Sequence, residues 1–166
     1  RQMCIRDSEK SEVIAESKRT GKTIHLGGFM TLCHEKHSEL NLPTELKKYK
    51  GRVVFRGDCV KDETGGHALF NDMGSSASRM GGAKMIDALA RMPGMEGENS
   101  DAVAAYTQVP LEDAWKMLGN DPNEFPVTYI SLPRNRRPRD WDQKYSDPVV
   151  RLDLNLYGHP LAGLIW

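Results

Sequence analysis

A chain of 166 residues with 39% hydrophobic and 28% charged side chains is long enough to bury one real core, and its composition is that of a globular domain. Its 23 basic and 23 acidic residues cancel, and net charge taken alone argues against a dedicated nucleic-acid binder. No apolar run approaches a membrane span and nothing at the start reads as a secretory signal, so an intracellular setting, cytosolic or nuclear and without a membrane partner, is expected.

Residues 1–8 read as the translation of a transposase end adaptor from a sequencing library. They are expected to be foreign to the fold and unpacked, which leaves Cys4 without meaning. Residues 9–22 have helix-forming composition, with Val13, Ile14 and Ser17 on one side and Gly21 as the stop, and predict a surface helix. Residues 23–33 and 51–60 are β-rich runs, the first broken by Gly27 and Gly28, and are expected to pair antiparallel across a polar connection. Arg52 lies beside Val54 in strand phase, with Lys50 nearby, so one face should carry cationic groups that match phosphate oxygens. An arginine guarding an edge strand is the plainer reading of the same residue. Cys33, His34, His37, Cys59 and His67 match no paired zinc spacing, and the three cysteines make no disulfide framework.

Ser75 or Ser76 is expected to cap a helix that runs to Met92, with Met80, Ala83, Met85, Ile86, Leu89 and Ala90 as its apolar stripe. That helix should pack on the following stretch, residues 100–108, a small apolar run that reads as a short buried strand with Asp101 at its edge. A carboxylate so placed can face a cation, and Tyr106, five residues on, can form a floor under a sugar. The alternative is that Asp101 caps the next turn and Tyr106 is a core aromatic. Residues 110–118 predict a short helix, 127–133 a strand, 134–139 an arginine-rich loop, and 149–156 a strand that Tyr157 and Gly158 turn into a last helix. Basic residues gather at 47–61 and 134–139, and acidic ones at 96–101 and 112–124. Such segregation suits a cleft with a metal-binding floor and phosphate-binding rims, or two solvated loops of opposite sign.

Three stretches stand in a telling order: Lys47-Lys48-Tyr49-Lys50-Gly51-Arg52-Val53-Val54-Phe55-Arg56-Gly57, then Ser100-Asp101-Ala102-Val103-Ala104-Ala105-Tyr106-Thr107-Gln108, then Val150-Arg151-Leu152-Asp153-Leu154-Asn155-Leu156-Tyr157-Gly158-His159-Pro160. In order and spacing they resemble the fingers block YKARLVAKG, the palm block DVxxAF and the block LYGLKQAPRLW of the copia-type retrotransposon reverse transcriptase. The resemblance covers residues 23–166. It implies an α+β fold, with partial fingers over about 23–75 and a partial palm over about 76–166, built as an antiparallel sheet with helices packed on one face. It further implies RNA-directed DNA polymerase chemistry, with Asp101 as catalytic Mg²⁺ ligand, Ala104 and Ala105 offering backbone to the nucleotide, Tyr106 gating the sugar, and Arg52 with Lys50 on the triphosphate. The partners implied are an RNA or DNA template-primer and deoxynucleotide triphosphates; Arg134, Arg136, Arg137 and Arg139 are lesser candidates for nucleic-acid contact. Oligomeric state is left open. The chain departs from the family in two ways. It stops before a Tyr-x-Asp-Asp hairpin, and Leu161 and Leu164 stand where the family has glutamine and arginine. The fragment is therefore expected to be inactive alone, and a non-catalytic relic or a small nucleic-acid-binding module are the rival readings.

Overall fold

The computed structural model describes residues 7–70, 80–98, 100, 102–117 and 119–164. Five strands form one open mixed sheet in the order β1-β5-β4-β2-β3. The first, β1 (Asp7–Glu9), leads directly into helix α1 (Lys10–Thr20), which places Ser17 inward with Val13 and Ile14 half-buried and ends at Gly21 in the left-handed conformation. The long strand β2 (Ile24–Lys36) pairs antiparallel with β3 (Lys48–Phe55), as the two β-rich runs predict.

The first half of β2 has a second partner. Residues 24–28 run parallel to β4 (Val127–Ser131), and β4 runs antiparallel to β5 (Pro148–Arg151). The expectation of an antiparallel sheet is thus corrected to a mixed one. Its physical cause is the length of β2: one strand of 13 residues exposes enough ladder to serve β4 at its start and β3 at its end. The sheet therefore runs across the expected division between a fingers part and a palm part.

The core sits where these halves meet. Phe55, Val60, Ile130, Trp141 and Val150 form a buried cluster, flanked by Phe29, Phe70, Tyr145 and Leu156. Gly27 is essential to it, since a Cβ there would collide with the Phe55 ring.

Further expectations are corrected. Helix α2 (Met80–Ala90) forms, but none of its residues is buried, and Met80, Met85 and Ile86 are among the exposed apolar side chains. Its expected support is missing because residues 102–108 are not a strand: a turn at Val103 and Ala104 leads into a 3₁₀ helix, Ala105–Gln108. Alanines have little β preference, and local bonds compete with a ladder here. The Gln108 amide donates to the Val103 carbonyl at 2.6 Å and the Thr107 hydroxyl to the Ala104 carbonyl at 2.8 Å. Asp101 itself lies outside the described residues, as do residues 1–6 and the expected helix caps Ser75 and Ser76.

Asp7 and Ser8, expected to be unpacked, instead pair with Val150 and Val149 at the sheet edge. Asp7 accepts from Lys144 at 3.1 Å and Tyr145 at 2.9 Å, hydrogen bonds that hold its carboxyl below the ordinary range. The short helices α3 (Leu111–Met117) and α4 (Trp141–Lys144) lie on either side of β4 in sequence. The final strand is shorter than expected, and among the described residues the helical element after it is a 3₁₀ turn, Ala162–Leu164. Among the described residues no helix is long and apolar enough to cross a membrane.

Candidate functional site

The three motif blocks, far apart in sequence, meet at Tyr157 and Gly158. From the first block, the Phe55 amide donates to the Tyr157 carbonyl at 2.6 Å. From the second, the Tyr106 ring meets the Tyr157 ring edge to face, with centroids 4.7 Å apart and planes at 90°. Gly158 holds a φ of +84° with its α-carbon against the Phe55 carbonyl, and a Cβ on Gly57 would strike the Gly158 carbonyl. Each glycine of this contact is required by space, and Gly158 by conformation as well.

A short ladder fixes the second block to the third. Leu111 donates to the Asp153 carbonyl at 2.9 Å and Asn155 to the Val109 carbonyl at 2.8 Å, with a bridge between Pro110 and Leu154. Asn155 is almost wholly buried. Its side-chain oxygen accepts from the Leu156 amide, while its Nδ2 has no partner among the described residues. This ladder positions the Ala104 to Tyr106 turn. Ala104 takes a left-handed φ of 54°, Ala105 is buried and Tyr106 is half-buried.

Sequence reasoning missed His159. It is buried, packs against Phe55 with ring centroids 5.0 Å apart, and accepts the Leu161 amide on Nδ1 at 3.2 Å. With Nδ1 an acceptor, the proton of the neutral ring sits on Nε2, which faces the Thr128 hydroxyl at 3.4 Å. Burial, with the charge of His25 adding to it, pushes His159 down to about 4. The only signal in the sequence was the departure of this histidine from the family block. Leu161, where the family has glutamine, is buried among these groups.

Arg52 and Lys50 lie further out on β3, both exposed. The register places Lys36 opposite Lys48, His34 opposite Lys50, Leu32 opposite Arg52 and Met30 opposite Val54, all on one face of the β2–β3 arm. No acidic residue shares that face. The sole acidic residue paired in the arm, Glu35, faces the other way opposite Tyr49 and is tied to Lys47 at 3.1 Å. Among the described residues Lys36, Lys48, Lys50 and Arg52 have no ion-pair partner closer than 4 Å, which leaves a strip of uncompensated charge. No hydrogen bond or ion pair among the described residues joins this strip to the Ala104 to Tyr106 turn.

Of the loop arginines, Arg134, Arg136 and Arg139 are exposed. Arg137 is turned inward: its Nε donates to the Leu132 carbonyl at 2.8 Å and its guanidinium lies 3.9 Å from Asp142, so it braces its own loop. Among the described residues no cluster of three or more His, Cys, Asp or Glu stands ready to hold a metal ion. Mg²⁺ needs near-octahedral oxygen coordination, so the described residues do not compose its site and no chemical step is assigned to it.

No protein-family model, curated protein or solved structure matches this chain, so the resemblance rests on the motif blocks of the sequence alone.

Proposed function

We propose that the chain is the fingers and first part of the palm of a copia-type RNA-directed DNA polymerase, inactive as it stands. The observation that carries this reading is the meeting of three motif blocks on Tyr157 and Gly158, held by a backbone hydrogen bond, a ring pair and two glycines that admit no side chain. In the complete protein Asp101 belongs to the Mg²⁺ site together with carboxylates from a downstream Tyr-x-Asp-Asp hairpin, Ala104 and Ala105 present backbone to the nucleotide, and Tyr106 limits the sugar. Arg52 and Lys50 hold phosphate, the partners are template-primer and deoxynucleotide triphosphates, and the setting is intracellular. Phosphoryl chemistry of this kind asks the protein chiefly for position and charge.

The test is primer extension by this chain completed with a downstream palm that carries the missing hairpin. Mg²⁺-dependent extension that Asp101→Asn abolishes is the expected result. Extension unchanged by Asp101→Asn would overturn the assignment. A second reading, a non-catalytic nucleic-acid-binding module, is favoured by the unopposed basic strip of the arm. A third, a decayed element copy, is favoured by Leu161, whose buried apolar side chain replaces a polar group of the family. Single-strand binding without extension by the completed chain supports the second; neither binding nor extension supports the third.

A further inference from the structure

A cleft of about 570 Å³ opens between the end of α1, the start of β2, the Leu69–Phe70 segment and the connection that follows α3. It is separate from the Tyr157 contact and from the basic strip. Its size is that of a small-molecule site, and such sites are mainly apolar with a few convergent polar groups. Here Phe70, Trp115, Phe125 and Leu161 are among the apolar lining, and His25 and Asn120 are two of six polar or charged residues that share it.

We propose that this cleft binds an unpaired purine base. Besides His25, three of its lining side chains are aromatic, and each is held by a neighbour. The Trp115 indole donates its Nε1–H to the Asp121 carbonyl at 2.8 Å, and Phe125 meets the indole at an inclination of 64° with centroids 6.3 Å apart. Phe70 leans on the His25 ring at 4.7 Å. Fixed rings favour a flat ligand, because stacking needs no further ordering of the side chains.

The polar lining fits a heterocycle rather than a hydrocarbon. His25 is 6% exposed, reaches the cleft and has no hydrogen-bond partner among the described residues. Burial pushes its pKa down against the opposing pull of Glu63 and Asp62, so near neutral pH it presents one N–H donor and one nitrogen acceptor. The Asn120 carboxamide also offers both a donor and an acceptor. A purine edge, with exocyclic and ring nitrogens side by side, can use that combination. Lys22 and Glu124 at the cleft carry opposite charge, so it has no preference for an anion, and the base is the recognised part.

The base can come as a free nucleoside or from a single strand, and titration calorimetry on the full chain separates the two. Adenosine is the first probe, and an oligodeoxyadenylate and the same oligonucleotide with abasic sites are the second and third. Saturable adenosine binding, at least tenfold weaker in Trp115→Leu and in His25→Gln with the melting curve retained, is expected. Trp115 is only half-buried, so Trp115→Leu remains informative if His25→Gln does not fold. Binding of the oligonucleotide that abasic substitution weakens at least tenfold, when adenosine alone is weak, assigns the base to a strand. Absence of both, or indole binding as tightly as adenosine with no dependence on His25, would overturn the proposal. It does not rest on the polymerase reading: adenosine binding needs neither extension nor the basic strip.

Discussion

The Phe55 amide donates to the Tyr157 carbonyl at 2.6 Å, and the next residue, Gly158, rests its α-carbon against the Phe55 carbonyl at a φ of +84°. Two fully separate stretches of chain are locked by this one exchange. A side chain on Gly158 has to bear a left-handed backbone and a collision with the Phe55 carbonyl together. Gly158→Ala is therefore expected to destabilise the fold by about 2 kcal/mol or more in urea unfolding. Gly28→Ala, where nothing lies within 4 Å of the added Cβ, should change stability by less than about 0.5 kcal/mol. Equal effects of the two would show that the Gly158 contact is not formed.

His159 makes stability depend on acid. Burial first, then the charge of His25, lowers it to about 4 from 6.5. Between those two values the unfolded chain binds more protons than the folded one. The stabilisation from a neutral His159 is thus complete above 6.5 and is lost as pH falls toward 4, by about 3 kcal/mol at most. His25, also lowered by burial, adds loss in the same direction. Urea midpoints measured at about pH 7.5 and about pH 5 should differ in the wild-type chain and differ less in His159→Gln. A wild-type midpoint that does not move would contradict the buried neutral ring.

Part of this fold is legible in the sequence, and for physical reasons. Helix α1 has Val13, Ile14 and Ser17 on one side and Gly21 to end it, and β2 and β3 have β-branched and aromatic runs that fix their pairing phase. The parallel partnership of Ile24 with Val127 is not legible, because strand pattern says which face is buried and not which neighbour lies alongside. Residues 102–108 misled for a related reason. Small apolar residues permit a strand without demanding one, and the side chains of Thr107 and Gln108 bond the local backbone instead. At the candidate site, the ring pair of Tyr106 with Tyr157, the buried His159 and the Trp115 cleft all depend on long-range packing that no local spacing records.

The basic strip on the arm makes a quantitative prediction. Lys48, Lys50 and Arg52 are exposed and lie on a face with no acidic counterpart, so replacing all three with glutamate should leave the melting temperature nearly unchanged. Affinity for single-stranded RNA should fall at least about tenfold, and the dependence of log K on log salt should flatten by roughly 0.7 for each phosphate that no longer meets a cation. Filter binding across a salt series checks this. An unchanged slope would place any nucleic acid elsewhere on the molecule.

The most direct measurement of the central claim, that the motif blocks form one site, is a double-mutant cycle across the Tyr106 and Tyr157 rings, which meet edge to face at 4.7 Å. Tyr106→Ala, Tyr157→Ala and the double variant are unfolded in urea and compared with the wild-type chain. A coupling of about 0.5–1.5 kcal/mol is predicted, the range for an aromatic pair in contact. Strictly additive losses would mean that the second and third blocks do not touch, and with that the site reading fails.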